Sequence, residues 1–435
     1  MDKFAEIRVP IAHDNPSIRR RENKCVLCGK CKDVCKKKIG VAGYWEYDSE
    51  DIVCINCGQC LQVCPVHSIV EQNDTRAFLD ACANKKKCVV AIMSPATRVA
   101  FGEEFGIPSG ENVAKKLVSA LKHLGLKYVF DVTFGADMTV MEEAGELIDR
   151  LSKNEKIPMF TSCCPAWVKF VETFYPEYIS NLSTCKSPIA MQSSLIKSYF
   201  AKKHEIKSTD IYVVAITPCV AKKFEAKREE LSSYYGQDTD LVVTVKELAE
   251  LIKKQKINFK KLDEVEFDSA FPTGSGAGAI FGASGGVMEA VVRTAYYMTT
   301  GNNPPKDLLE FKKLRGYNNV KTAKVNLNGK DVRLCVVYGT NTVREMLKKQ
   351  KLKTFDMLEV MACPNGCVGG GGQPIQKDND KAVVLRAEGL YKCDKNCATK
   401  SSYETKQVKE VYKEFLDSPN SDMAHKLLHT TFRKR

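Results

Sequence analysis

Residues 25–35 read CVLCGKCKDVC and residues 54–65 read CINCGQCLQVCP, each a C-x2-C-x2-C-x3-C run. Three thiolates this closely spaced can hold three irons of a four-iron cubane, while the fourth reaches a neighbouring cluster. Two such runs side by side predict two clusters with exchanged fourth ligands. Cys25, Cys28, Cys31 and Cys64 would hold one, and Cys35, Cys54, Cys57 and Cys60 the other. Paired CxxC motifs also build tetrahedral zinc sites, but those lack a four-cysteine run repeated twice. Lys36 follows the fourth cysteine of the first run where Pro65 follows that of the second, which changes a turn and not a ligand. Paired clusters form an electron wire, so the remaining chain must hold whatever the electrons serve.

Length, charge and composition bound the rest. At 435 residues the chain exceeds what one core usually supports, and its 44% hydrophobic and 27% charged residues are those of a folded globular protein. Nineteen cysteines, with no apolar h-region in the opening MDKFAEIRVPIAHDN, point to thiolate metal ligands in a reducing, cytoplasmic setting and away from an exported disulfide scaffold. No apolar run approaches the roughly 18 residues of a membrane span, so no membrane partner is expected. The formal charge of +13 gathers at Arg19 to Arg21, Lys36 to Lys38 and Lys85 to Lys87. Without an aromatic-rich basic groove or a nucleic-acid-binding signature, these runs fit an acidic electron-carrier protein, or a solvated basic face, better than nucleic acid.

The cysteine-dense texture ends near residue 85, which predicts a small metal-cored domain over residues 1–85 and a larger one over residues 86–435. Beyond that point, strand-length apolar runs at 88–93, 128–132, 158–161, 211–216 and 357–362 alternate with segments of near-3.6 periodicity. ENVAKKLVSALKHLGL, MTVMEEAGELIDRLSKN, VTVKELAELIKKQK and SGGVMEAVVRTAYYMTTG are of this second kind. The expected fold class is α/β, with parallel sheets covered by helices and sites at the carboxyl ends of strands. The pair Asn328-Gly329 inside TAKVNLNGKDVRLCVVYG predicts a hairpin. The closing VKEVYKEFLDSPNSDMAHKLLH reads as helical, with His425 and His429 one turn apart. Lacking a neighbouring glutamate or cysteine, that pair is read as structural and not as a metal site. CDKNCATKSS, containing Cys393 and Cys397, reads as an exposed loop.

The cysteines of the second region include three motifs, FTSCCPAW (160–167), ITPCVAKKFEA (216–226) and EVMACPNGCVGGGGQP (359–374), each just after a strand-like run. Cys163 or Cys164, Cys219, Cys363 and Cys367 therefore converge at strand ends, enough to hold a third cubane. The glycine run 369–372 lets backbone approach a bulky inorganic group. MEEAGELIDR places Glu143, Glu146 and Arg150 on one helix face.

With these motifs the chain resembles the iron-only hydrogenases, whose active domains carry patterns like TSCCPxW, xPCxxKxxE and ExMACxxGCxxGGGQP. The likeness covers nearly the whole chain and includes SGAGAIFGASGGVMEA. It implies a ferredoxin-like domain with two [4Fe-4S] clusters, followed by two parallel-sheet α/β lobes enclosing an H-cluster. The implied activity is reversible oxidation of dihydrogen to protons and electrons, by a monomer served by separate maturation enzymes and exchanging electrons with an acidic ferredoxin. In the family's pattern Cys164, Cys219, Cys363 and Cys367 bind the cubane of the H-cluster. Cys367 also bridges to a two-iron unit carrying carbon monoxide, cyanide and a dithiolate. Cys163 matches the proton-shuttling cysteine, which hands on to Glu143, Ser183 and Glu146, with Arg150 beside them. Lys222 matches a donor to cyanide, and Pro95, Thr217, Phe281, Gly282 and Met361 match positions that shape the ligand cage.

Some positions depart from the family. Thr217 stands where methionine is common, replacing a thioether by a hydroxyl and implying a shifted potential and a bias toward dihydrogen oxidation. Ile189 replaces a common glutamine, and Ser94 and Ala96 flank Pro95 in a less usual order. Cys82, Cys88, Cys185, Cys335, Cys393 and Cys397 have no assigned role, and Cys185 is read as a buried structural thiol. Two other readings of the same fold are a dihydrogen sensor and an iron-sulfur assembly factor. A sensor would normally lack Cys163 or part of the relay. An assembly factor would not be expected to keep TSCCPAW, Lys222 and GGGGQP together.

Overall fold

The computed structural model describes residues 4–44, 52–233, 235–305 and 307–435. Near the start, β1 (Ile18–Arg20) pairs antiparallel with β2 (Ile69–Glu71), and the two cysteine runs lie between them. The runs fold alike. In each, the residue before the second cysteine and the glycine after it take left-handed backbone: Leu27 and Gly29 at φ 53° and 76°, Asn56 and Gly58 at φ 63° and 71°. Each glycine then opens a short helix, α1 (Lys30–Val34) or α2 (Gln59–Gln62), so a repeated sequence produces a repeated loop. After β2 comes the amphipathic α3 (Thr75–Ala83).

The remaining strands among the described residues are β3 (Cys88–Met93), β4 (Tyr128–Asp131), β5 (Met159–Phe160), β6 (Ile211–Thr217), the small pair β7 (Ser232–Ser233) and β8 (Gly236–Gln237), β9 (Leu241–Thr244), β10 (Lys312–Lys313), β11 (Val320–Leu327), β12 (Lys330–Tyr338) and β13 (Met357–Met361). They build two main sheets. One is wholly parallel, in the order β4-β3-β6-β9. The other runs β10-β11-β12-β13-β5, parallel from β12 to β5 and antiparallel across the hairpin β11-β12. Asn328 and Gly329, at φ 50° and 86°, make the turn of that hairpin as their sequence predicts.

Both faces of the parallel sheet are buried, which explains why CVVAIM is a continuous apolar run and does not alternate. Val90 and Ile92 pack with Ile189, Leu195 and Phe200 on one side. Val89, Ala91 and Met93 pack on the other with Leu117 and Leu121 of α4 (Ala114–His123). The second sheet is likewise covered, by Trp167 and Phe170 on one face and on the other by the helix Gly286–Thr300 and α5 (Val132–Lys153). The expected α/β class is thus present, as are the helices that the periodic segments predict. Two expectations need correction. The closing segment is not one helix: it breaks at Asp417 and Asn420, both at positive φ, before a separate helix Asp422–Leu428, because SPNS supplies turn and capping groups. Cys393 lies inside the helix Asn379–Asn396 with Cys397 as its C-cap, so CDKNC is not a loop.

Buried charges tie the loops to this frame. Asp137 on α5 accepts hydrogen bonds from the Ser275 backbone N–H and from the hydroxyls of Ser275, Ser402 and Thr405. Glu359 on β13 accepts the Gly285 and Met288 N–H groups at 2.6 and 2.8 Å. Arg386, wholly buried, pairs with Glu103 and donates to the Val368 and Pro374 carbonyls at 2.9 Å each, which holds both ends of the glycine run. We expect Arg386→Met to destabilise the protein by about 3–5 kcal/mol, since it leaves the Glu103 carboxylate buried and unpaired. Anaerobic denaturant unfolding of the iron-loaded protein measures this, and an unchanged midpoint would refute it.

Candidate active site

Four loops carry the later cysteines and their neighbours, and all leave the carboxyl ends of parallel strands. β5 runs into Cys163 and Cys164, β6 into Cys219, and β13 into Cys363 and, after one turn, Cys367, while β3 delivers Pro95. Gly366, at φ 91°, makes the turn between the last two cysteines. The thiols of Cys164, Cys219, Cys363 and Cys367 face one another closely enough to oppose each other's ionisation. Burial and this repulsion push Cys219 up to about 11 and Cys363 and Cys367 well above the ordinary thiol range. Cys164 is the N-cap of the helix Pro165–Phe174, whose backbone N–H groups from Ala166 and Trp167 oppose the upward push of burial on it.

The N-terminal cysteines form two further groups. Cys25, Cys28, Cys31 and Cys64 line one cavity together with Arg8 and Arg20. At Cys25 the Leu27 N–H and these two arginines outweigh burial and lower the thiol's pKa. Cys35, Cys54, Cys57 and Cys60 lie together, with Cys35 pushed up to about 12 by burial and by its neighbours Cys54 and Cys31. Backbone N–H groups point at sulfur here too, Asn56 to Cys54 at 3.3 Å and Ser68 to Cys64 at 3.2 Å.

Such donor sets fit iron-sulfur clusters. Thiols packed together away from water cannot ionise alone, yet become thiolates when a positively charged inorganic core sits between them. The second run also docks directly on the glycine-rich loop. Gln59 donates to the Gly369 carbonyl at 2.9 Å and Gln62 to those of Gly370, Gly371 and Gln373 at 3.0–3.2 Å. A Cβ on Gly371 would collide with the Cys57 and Gly58 backbone, and one on Gly58 would collide with the Val220 side chain and crowd Gly371. The Cys57 carbonyl is 4.0 Å from the Cys363 sulfur.

Beside these thiols runs a buried polar chain. Cys163 lies within electrostatic reach of Glu143, Cys164 and Cys367. Glu143 is almost fully buried, with one carboxylate oxygen lacking a partner. Burial first, and Glu146 next, push its carboxyl up to about 8, while Ser183 opposes them. The Ser183 hydroxyl donates to Glu146 at 2.7 Å, and Arg150 donates to the other oxygen of Glu146 at 2.6 Å. Arg150 is fixed in turn by the Lys156, Asn181 and Leu182 carbonyls. The helix spacing of Glu143, Glu146 and Arg150 thus becomes one face of α5, closed by a loop 30 and more residues away.

Lys222 is buried and its ammonium donates to Glu225 at 2.7 and 2.9 Å and to the Cys163 carbonyl at 3.2 Å. Burial works against its charge, but Glu225, Cys219 and Cys163 hold its pKa above the ordinary value. Thr217 is buried, and its hydroxyl accepts from the Cys219 N–H at 3.3 Å. Pro95, Phe281 and Met361 are buried at this end of the strands, and Gly282 abuts Ala96 so closely that a Cβ would not fit. Sequence reasoning did not single out Glu225, Glu359, Glu142 or Thr184. Thr184 donates to Glu146 at 3.4 Å and bonds His429 at 2.8 Å, and His429 meets Glu142 at 3.0 Å. Glu225 and Glu359 had a signal, as the glutamates that end TPCVAKKFE and open EVMACPNGC; Glu142 and Thr184 had none.

The family model for the C-terminal domain of the iron-only hydrogenase large subunit matches residues 87–371, and that for the iron hydrogenase small subunit matches residues 380–435. The NADP-reducing hydrogenase subunit HndD of Solidesulfovibrio fructosivorans is 40% identical over 96% of this chain and 75% of its own length. The cytosolic Fe-S cluster assembly factor narfl of Danio rerio is 31% identical over 80% of this chain and 87% of its own. A solved variant of the [FeFe]-hydrogenase HydA1 from Chlamydomonas reinhardtii superposes with a TM-score of 0.75 at 33% identity, covering 83% of this chain and 99% of that one. The strand-end thiols, the fold and these matches agree: the chain belongs to the iron-only hydrogenase family.

Proposed function

We propose that the chain is a hydrogenase that interconverts dihydrogen with protons and electrons, with a two-cluster domain over residues 1–85 and a catalytic domain over residues 86–435. The observation that carries this reading is the buried chain of groups from Cys163, beside the strand-end thiols, through Glu143 and Ser183 to Glu146 and Arg150. Cys164, Cys219, Cys363 and Cys367 would hold the H-cluster, and the two N-terminal groups of four cysteines would hold one cubane each. When bound, the H-cluster supplies the heterolytic splitting of dihydrogen and exchange of its electrons. The protein's own part is to move the proton, hold the charge and exclude water.

Cys163 passes the proton between the cluster side and Glu143. With its carboxyl pushed up to about 8, Glu143 is mostly protonated at physiological pH, so it holds a proton to pass on and ionises easily enough to be reloaded. Ser183, whose hydroxyl both donates and accepts, links it to Glu146, and Arg150 keeps Glu146 oriented. Lys222 places a buried positive charge beside the cysteines. Exposed Cys28, with Arg19, Arg21, Lys24 and Lys30 exposed nearby in sequence, suits electron exchange with an acidic ferredoxin-type carrier. No described helix is long and apolar enough to cross a membrane; we assign the protein to the cytoplasm. The assembly-factor relative matches 80% of this chain, but a buried proton relay of this kind has no task in assembling an iron-sulfur cluster.

The decisive test is anaerobic dihydrogen uptake and evolution with a viologen dye, on protein co-produced with maturation enzymes. Cys163→Ala and Glu146→Gln should each lose at least about a hundredfold in both directions with iron content unchanged. A fully iron-loaded parent that turns over negligibly would give the lead to the sensor or assembly reading.

The pH profile has a definite sign. Below about 8 Glu143 is protonated and favours delivery toward the cluster; above it the carboxylate favours uptake from Cys163. The ratio of evolution to oxidation should therefore fall as pH rises through about 8, beyond the thermodynamic slope of the substrate couple. Glu143→Asp should shift that extra step, and a profile indifferent to this substitution would remove Glu143 from the relay.

Thr217→Met tests the catalytic bias. In film voltammetry we expect the oxidation-to-evolution ratio to drop in the variant, and an unchanged ratio would refute a role for the hydroxyl.

A further inference from the structure

The relay has a side branch that the proposed reaction does not use. An isolated antiparallel bridge sets Cys185 beside His429, and α5 presents Glu146 to both. A carboxylate oxygen of Glu146, the Cys185 sulfur and a ring nitrogen of His429 lie within 4.8 Å of one another. Cys185 is 1% exposed and its thiol is 3.7 Å from Glu146 Oε2. His429 is buried, with Nε2 3.0 Å from Glu142 and Nδ1 2.8 Å from the Thr184 hydroxyl. Tyr412 and the Asn420 N–H complete the surroundings of Glu142.

This arrangement has the chemistry of a zinc-class site. Sulfur, imidazole nitrogen and carboxylate are the ligands such a dication selects. A metal-bound histidine commonly gives its other N–H to a carboxylate, and Glu142 stands ready to take it. A tetrahedral ion with bonds of about 2.0–2.3 Å holds its ligand atoms roughly 3.3–3.8 Å apart, so the trio needs to close by only about 1 Å. Charge also balances. Glu146, Glu142 and a Cys185 thiolate oppose Arg150 and a dication, leaving the pocket neutral. Exposed His425, its ring 4.2 Å from that of His429, offers a ligand on the way in from solvent.

We propose that Glu146, Cys185 and His429 form an inhibitory site for a zinc-class divalent cation that closes the proton relay. Binding forms the metal–sulfur, metal–nitrogen and metal–oxygen contacts and releases the Cys185 proton to solvent, with no change of oxidation state. The oxygen that the metal takes, Glu146 Oε2, is the one that receives the Ser183 hydroxyl, so an occupied site leaves Glu146 unable to exchange a proton with Ser183. The inhibitory effect rests on the relay reading above; the binding does not.

The test adds zinc chloride, about one equivalent per chain, to the cluster-loaded protein after a chelator wash, and reads both zinc K-edge X-ray absorption and viologen-linked turnover. We expect one zinc per chain with a single sulfur near about 2.3 Å and nitrogen or oxygen near about 2.0 Å. Turnover should fall at least tenfold and recover with EDTA. Cys185→Ala, and independently His429→Gln, should keep the iron content and the zinc-free rate yet lose the sulfur shell or the sensitivity. A zinc shell without sulfur, or inhibition unchanged in both variants, overturns the site. A one-sulfur zinc that leaves turnover intact overturns the closure of the relay at Glu146 while the site itself stands.

Discussion

Everything in this molecule turns on thiols that repel one another in a dry interior. Cys57, Cys60, Cys363 and Cys367 are held where burial and neighbouring sulfur both oppose ionisation. A cationic inorganic core bound between them, as proposed, would turn that repulsion into ligation. The surrounding architecture serves this constraint. Parallel strands end together, so loops from distant parts of the chain meet. Backbone N–H groups aim at sulfur, and glycines stand wherever two loops must touch, as at Gly58 against Gly371.

The second organising element is α5. Asp131 caps its start, accepting from the Thr133 N–H at 3.0 Å and pairing with buried Arg98. Along its length Asp137 anchors the 275 and 402–405 loops, Glu142 faces His429 and Tyr412, Glu143 and Glu146 face Ser183, and Arg150 closes the end. One helix therefore sets the spacing of both acids in the proposed relay. Regular geometry suits proton transfer, which fails when hydrogen-bonding groups drift beyond reach.

Carboxylates in this interior behave in two ways. Asp137 and Glu359 are saturated by hydrogen-bond donors, and their task is to hold loops. Glu143 keeps one oxygen unpartnered. Asp131, Asp238 and Glu230 share that feature, but each pairs with an arginine or lysine, whereas among the described ion pairs Glu143 has no cationic partner, which suits the proton-exchanging role proposed for it.

Local pattern was enough to determine much of this protein. Cysteine spacing alone predicted which N-terminal cysteines lie together, because loop conformation over ten residues depends on those residues. Strand and helix periodicity located β3, β6, β13 and α5, because both faces of each sheet are buried and the apolar runs are long. Family resemblance drew Cys163, Glu143, Ser183 and Glu146 into one path. Tertiary structure decided what no local signal carries. His425 and His429 read as structural because no glutamate or cysteine neighbours them in sequence, yet a single β-bridge brings Cys185 to His429, and α5 brings Glu142 and Glu146. Those residues are separated by up to 287 positions. Contacts of that range are fixed by which faces of helices and strands must be buried together, a property of the assembled core and not of any segment within it.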